Sequence, residues 1–208
     1  MKKKPLKIIL QLAFLVLFFV LLGTNNLKIW LAIFLIGVAS APIIGRIYCG
    51  WICPIHTGTM FMTAIKKKFN IKSRVIPNSL RAPWIRYALA ALLVVVFVIG
   101  EIKGRRIPAL AFLFTAGIVI TLMYSEVLWH RYLCPYGAFL KVAASKTKRG
   151  MVIDKNICKD NGTCKNVCPA EAVVTVDGRN QIDNSECLVC MKCKMNCQEN
   201  AIFYKRIN

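Results

Sequence analysis

Seven cysteines in the last third of this 208-residue chain constrain its fold more than any other feature of the sequence. They are Cys158, Cys164 and Cys168, followed by Cys187, Cys190, Cys193 and Cys197. The last four are spaced by two, two and three residues, which places soft thiolate ligands around one small cage. This spacing is typical of iron–sulfur ferredoxins, and it favours a cluster over a zinc ribbon or a set of disulfides.

Two-cluster ferredoxins exchange one ligand, because the fourth cysteine of each run binds the other cluster. The sequence therefore predicts one complete four-thiolate site holding a 4Fe-4S cluster. Its ligands are Cys168, Cys187, Cys190 and Cys193.

The second site is predicted to lack one thiolate. Its cysteines are Cys158, Cys164 and Cys197, and the two-residue spacing puts Asn161 where another ligand is expected. Three outcomes stay open: a 3Fe-4S cluster, a 4Fe-4S cluster capped by Asn161, Asp160 or water, and a site that no longer binds iron.

The rest of the chain has the composition of a membrane protein, with 57% hydrophobic residues and a mean hydropathy of +0.53. Four apolar stretches are long enough, or nearly so, to cross a bilayer of about 30 Å. They are Leu6–Leu22, Leu27–Ile44, Trp84–Ile99 and Ile107–Trp129. No small-x-small cleavage motif follows the first stretch, so we expect a retained helix.

Charge is distributed unevenly along the chain. Residues 1–149 contain 21 Lys/Arg and two acidic residues, whereas residues 150–208 contain 8 Lys/Arg and 7 Asp/Glu. The basic residues flank the apolar runs, which favours membrane topology over nucleic-acid binding. A cytoplasmic N-terminus would leave only Lys28, Lys103, Arg105 and Arg106 outside. We therefore predict a multi-pass protein of the cell membrane with both termini cytoplasmic, where reducing conditions keep thiols free.

Two Cys-Pro motifs mark an internal repeat in the apolar region. Cys49 lies four residues before Cys53, and His130 lies four residues before Cys134. One helical turn separates each pair, so the repeat predicts a Cys3His site for a cluster or a zinc ion. The alternative is that these motifs only pack the helix ends. His56, the other histidine of the chain, is a weaker candidate that faces headgroups or hydrogen-bonds a quinone.

These patterns predict an α-helical membrane protein with four transmembrane helices as two repeated hairpins, followed by an α+β two-cluster ferredoxin-like domain. The boundaries are residues 1–145 for the membrane domain and 150–208 for the ferredoxin domain. Strands are expected at residues 151–154, 173–176, 181–182 and 201–204, with a tight turn at Asp177-Gly178. So small a domain should need its clusters in order to fold.

Three motifs in order carry a family resemblance: Tyr48-Cys49-Gly50-Trp51-Ile52-Cys53-Pro54, Arg131-Tyr132-Leu133-Cys134-Pro135-Tyr136-Gly137-Ala138, and the ferredoxin run. The chain resembles the NapH-type membrane-bound polyferredoxins, to which NosR-type and CcoG-type proteins are related. The resemblance implies four transmembrane helices, cytoplasmic Cys-x3-Cys-Pro motifs, two iron–sulfur clusters, and electron exchange with the quinone pool or a partner redox protein. His130 and Asn161 depart from the family pattern, since each replaces a cysteine.

The predicted function is membrane-anchored electron relay between the quinone pool or a membrane redox complex and a redox partner. A subunit of a larger oxidoreductase is favoured. The alternatives are a stand-alone quinol dehydrogenase or metal-ion reductase, and a redox-sensing or assembly factor. The expected partners are the lipid bilayer, a membrane or soluble redox subunit, and a quinone, with no nucleic acid.

Overall fold

The computed structural model describes residues 3–24, 26–103 and 109–207, and it is mostly helical. The helical part, as we name it, contains α1 (Lys3–Gly23), α2 (Leu27–Ile44), α3 (Pro54–Lys68), α4 (Trp84–Ile102), α5 (Ala109–Met123) and α6 (Pro135–Ala143). Short helical turns precede three of them: π-helical turns Tyr48–Ile52 before α3 and Leu128–Leu133 before α6, and a 3-10 turn Asn78–Arg81 before α4.

Two of these helices, α1 and α4, are long and apolar enough to cross a membrane, over Leu6–Gly23 and Trp84–Ile102. The apolar segments of α2 and α5 are shorter, Lys28–Ile44 and Ala109–Met123. The described residues are therefore mostly helical and include two candidate membrane helices. Ile107, Arg105 and Arg106, which entered the predictions of span and orientation, lie outside the described residues, as does Lys2.

The prediction of one apolar helix running to Trp129 is wrong, because α5 ends at Met123 and a π-helical turn starts at Leu128. The buried ammonium of Lys66, on α3, explains the break. Its Nζ donates to the carbonyl oxygens of Thr121 and Tyr124 at 2.9 and 3.0 Å. These carbonyls lie at the helix end, where no intrahelical N–H remains to pair with them.

The repeat predicted from the two Cys-Pro motifs has matching local structure. The N–H of Cys53 donates to the Tyr48 carbonyl at 2.9 Å, and the N–H of Cys134 donates to the Trp129 carbonyl at 2.8 Å. Both cysteines have nearly the same backbone angles, φ/ψ of −62°/119° and −68°/112°. A proline then opens the next helix, where its missing N–H costs nothing.

The cysteine-rich part, residues 149–207, contains two antiparallel two-stranded sheets. Its elements are β1 (Arg149–Ile153), α7 (Thr163–Asn166), β2 (Val173–Val176), β3 (Arg179–Ile182), α8 (Lys192–Asn196) and β4 (Ile202–Arg206). β1 pairs with β4, and β2 pairs with β3. Asp177 and Gly178, with φ of 51° and 73°, form the predicted turn, and two positive φ values in succession are typical of type I′.

A shared core joins the two parts. Trp30, Phe18 and Phe34 are the large buried residues of the helical part, and their cluster extends to Leu188 and Cys190 of the cysteine-rich part. The ferredoxin-like cysteines are thus held against the end of the helical part.

Candidate iron–sulfur sites and the charges between them

The first candidate site is a small cavity lined by four cysteines. They are Cys168, Cys187, Cys190 and Cys193. These are the four residues that the sequence assigned to one cluster. Apolar side chains complete the wall, including Ala172, Val173 and Leu188.

The backbone around this cavity turns its amides toward the sulfurs. The N–H of Val189 donates to Cys187 Sγ at 3.4 Å, and that of Ala172 donates to Cys168 Sγ at 3.3 Å. Val189 has a φ of 51°, which is an outlier for a β-branched residue. Such strain is concentrated at functional sites, and N–H donors to cluster sulfurs tune reduction potential.

The second candidate cavity is lined by Cys158, Cys164 and Cys197 together with Asn161. The side-chain oxygen of Asn161 accepts a hydrogen bond from the backbone N–H of Thr163, at 3.2 Å. Asp160, the other non-cysteine candidate, accepts the N–H of Asn180 at 2.8 Å through Oδ1. Both side chains therefore already hold the loop that surrounds this cavity.

The donor set of the first cavity fits an iron–sulfur cluster. Burial, followed by the neighbouring thiols, raises the pKa of Cys187 well above its ordinary value and that of Cys193 to about 12. The thiols of Cys187 and Cys193 are therefore protonated at neutral pH, and cluster assembly must release their protons. Among residues 3–24, 26–103 and 109–207, no group of three or more His, Cys, Asp or Glu is arranged to hold a single metal ion.

The three cysteines of the Cys-Pro motifs are buried in the core that the helical part shares with the cysteine-rich part. Cys49, Cys53 and Cys134 are each 7% exposed. Burial, followed by the charge of Cys49, raises the pKa of Cys134 to about 12. Arg46 Nη2 lies 3.9 Å from Cys49 Sγ, and it is a cation able to stabilise a thiolate there.

The structure pairs His130 with His56. His130 Nε2 lies 3.2 Å from His56 Nδ1 and 3.1 Å from the Thr59 hydroxyl. Thr59 donates its own hydrogen to the His56 carbonyl, so we assign the shared hydrogen to His130 Nε2. Burial lowers the pKa of both rings, that of His130 to about 3, with the charges of Lys192 and Arg46 adding to the effect. Both histidines are therefore neutral.

This assignment leaves two ring nitrogens with defined roles. His130 Nδ1 carries a lone pair, the form in which histidine ligates metal. His56 Nε2 carries a hydrogen but is buried without a hydrogen-bond partner. Sequence reasoning treated His56 as the weaker histidine and missed Thr59, because nothing in the spacing indicates that these side chains meet.

A buried carboxylate, Glu186, connects the two parts and was also missed. It is 1% exposed and lies directly before Cys187. Three cations of the helical part surround it: Arg46 Nη1 at 3.2 Å, Arg86 Nη1 at 2.9 Å and Lys141 Nζ at 2.7 Å. Burial alone would raise the pKa of Glu186, but hydrogen bonds from Arg86 and Lys141 and the charge of Arg46 hold it at about 2.

Comparison with known proteins finds related sequences. A profile described as a 4Fe-4S binding domain matches residues 28–72 and 107–151, one match for each Cys-Pro motif. An uncharacterized protein of Methanocaldococcus jannaschii is 28% identical over 179 residues, 82% of this chain and 68% of that protein. The ferredoxin-type protein NapH of Haemophilus influenzae is 27% identical over 74% of this chain and 60% of its own length. The chain is thus similar to the NapH-type polyferredoxins.

The chain is also similar to the methylamine utilization ferredoxin-type protein MauN of Methylorubrum extorquens, 27% identical over 63% of this chain and 50% of MauN. No solved structure matches the chain. The matched ferredoxin-type relatives are longer than the region they share with it. The resemblance predicted from the motifs is confirmed, and iron–sulfur clusters, electron transfer and membrane association are supported at this general level.

Replacing Glu186 with Gln should destabilise the protein, because three cations would remain buried without their counter-charge. We expect the free energy of unfolding to fall by about 3–5 kcal/mol, measured by denaturant unfolding in detergent. The exposed Asp177→Asn is the matched control, and its effect should stay within about 0.5 kcal/mol.

The same pair of variants gives a pH test. The lowered pKa of Glu186 means that its stabilising effect is present above the ordinary carboxyl pKa of about 4.3 and is lost as pH falls toward about 2. The stability difference between wild type and Glu186→Gln should shrink over that interval. A difference that stays constant would contradict the assigned role.

Proposed function

We propose that this polyferredoxin relays electrons between a centre at the cytoplasmic membrane surface and a redox partner, through two clusters in the cysteine-rich part. The observation that carries this proposal is the separation of seven cysteines into two cavities, one lined by four and the other by three. Clusters bound there would supply one-electron chemistry, and the chain would supply ligands, spacing and electrostatics. A role as subunit of a larger oxidoreductase suits this better than a stand-alone reductase or a sensor.

The proposed topology has four transmembrane helices, α1, α2, α4 and α5, with both termini on the cytoplasmic side. The two shorter helices, α2 and α5, are as apolar as the two longer ones, and each leads into a Cys-Pro motif. The excess of Lys and Arg beside the motifs supports the cytoplasmic placement of the cysteine-rich part.

The proposed membrane-surface centre uses Cys49, Cys53 and Cys134, with His130 Nδ1 as a fourth ligand. Metal-bound histidine commonly donates its other ring N–H to a neighbouring acceptor, which fixes the ring. The contacts of His130 Nε2 with Thr59 and His56 have this form. The match of a 4Fe-4S binding profile to both motif segments supports a cluster at this position rather than a zinc ion.

Iron content tests this centre. Cys53→Ala should lower iron per protein in anaerobically purified full-length chain, because it removes one thiolate of the membrane-surface centre and none from the two cavities. Thr57→Ala is the control, since it alters a buried side chain that bonds to the Cys53 carbonyl and leaves every cysteine in place. Equal iron in wild type and Cys53→Ala would confine the clusters to the cysteine-rich part.

We propose a 3Fe-4S cluster for the second cavity, since three thiolates remain and the Asn161 oxygen is engaged by Thr163. Asn161→Cys should restore the four-thiolate set and convert the site to a 4Fe-4S cluster. The EPR signal of the oxidised three-iron cluster should disappear, and iron per protein should rise. Asn156→Cys, at an exposed position that does not line this cavity, should change neither. A wild-type protein without the three-iron signal would favour a capped four-iron cluster or an empty site.

A quinone is the proposed electron partner at the membrane, and His56 is the observation that favours it. Its buried Nε2–H has no acceptor, and a quinone carbonyl oxygen would provide one. His56→Phe should slow reduction of the clusters by an added short-chain quinol and leave their reduction by dithionite unchanged. Cluster reduction by quinol at the wild-type rate would remove His56 from the site.

A further inference from the structure

The first Cys-Pro turn touches the ferredoxin-like loop through Gly50, which lies between Cys49 and Cys53. A side chain at Gly50 would collide with the backbone of that loop. Its Cβ would overlap the Leu188 carbonyl oxygen and would lie 3.0 Å from both N and Cα of Cys190. Backbone cannot move aside as a flexible side chain does, so only glycine permits this approach.

Polar contacts connect the backbone of the Cys-Pro turn with that of the ferredoxin-like loop on either side of Gly50. The Trp51 indole N–H donates to the Val189 carbonyl at 3.0 Å. From α1, Gln11 Nε2 donates to the Gly50 carbonyl at 2.9 Å and Lys7 Nζ donates to the Cys190 carbonyl at 2.6 Å. The Val189 and Cys190 carbonyls of the loop therefore each have a side-chain donor from the helical part.

Cys190 differs from the other ligands of its cavity in what it packs against. It belongs to the same buried cluster as Cys49, Cys53 and Cys134, whereas Cys187 and Cys193 belong to the core of the cysteine-rich part. Cys190 is therefore the one ligand of the first cavity that belongs to the buried cluster containing the cysteines of the Cys-Pro motifs.

We propose that Gly50 is a positioning residue that sets the electron-transfer contact between the membrane-surface centre and the first cavity, with Cys190 as the ligand on the receiving side. This inference rests on the proposed function. One electron would pass from the membrane-surface centre to the cluster of the first cavity. The first centre would be oxidised by one electron and the second reduced by one electron, and no bond would be made or broken. A quinol or a chemical reductant such as dithionite is the electron source.

The test compares Gly50→Ala with Gly23→Ala in the full-length, cluster-loaded protein; Gly23 is the control because its Cβ would meet nothing within 4 Å. In dithionite-reduced samples, EPR measures the spin coupling between the membrane-surface centre and the cluster of the first cavity. Cys53→Ala removes the membrane-surface centre, so its spectrum shows which component arises from this coupling. We expect Gly50→Ala to retain its iron and lose that coupled component. Hydrogen exchange of backbone amides 187–191 should also become faster, while Gly23→Ala matches wild type.

Coupling and exchange at wild-type levels in iron-replete Gly50→Ala would overturn the inference alone. If wild type and Cys53→Ala contain the same amount of iron, the membrane-surface centre and this inference are overturned together. The two failures are therefore distinguishable. If Gly50→Ala does not accumulate, Trp51→Phe removes the donor to Val189 and keeps an aromatic ring. It should weaken the same coupled component, whereas Trp84→Phe, at an exposed position, should not.

Discussion

Burial of one carboxylate among three cations is the constraint on which the relative placement of the two parts depends. Removing ions from water costs several kcal/mol for each, and only close pairing with further hydrogen bonds offsets that cost. Glu186 provides the pairing, and the backbone carbonyls of Ser185 and Arg131 each accept one further hydrogen bond, from Arg46 Nη1 and Arg86 Nη1. The cysteine-rich part thus has one position in which these charges are satisfied, and Cys187 is fixed in that position.

Positive charge is in excess where the helical and cysteine-rich parts meet, which favours a negatively charged cluster in the first cavity. Four thiolates around an iron–sulfur core carry net negative charge, and net charge is one of the factors that set reduction potential. Arg46, Arg86, Lys141 and Lys7 face Glu186 or the Cys190 carbonyl from the helical part. The second cavity instead has Asp160 beside it and is lined by the Lys159–Glu199 ion pair, so the two clusters should differ in potential.

The parts of this fold that depend on local spacing were predictable from the sequence. The grouping of Cys168 with Cys187 followed from ferredoxin spacing, and Pro54 at a helix start followed from its missing N–H. Contacts between distant residues were not predictable. Glu186 meets Arg46 across 140 residues, and Lys66 ends α5 from another helix. Hydropathy along the sequence does not include contacts between distant side chains, so the apolar stretch that ends at Trp129 was predicted as one helix.

The position of Glu186 along the chain has a consequence for how the protein is made. Translation produces Arg46, Arg86 and Lys141 before Glu186. Until residue 186 emerges, these cations must stay hydrated, because burying them alone costs too much. Closure of the helical part around Arg46 therefore requires Glu186. Cys49, Cys53 and Cys134 are buried only once the helical part has closed, so a chain still waiting for Glu186 would expose the thiols at which a metal centre would be assembled.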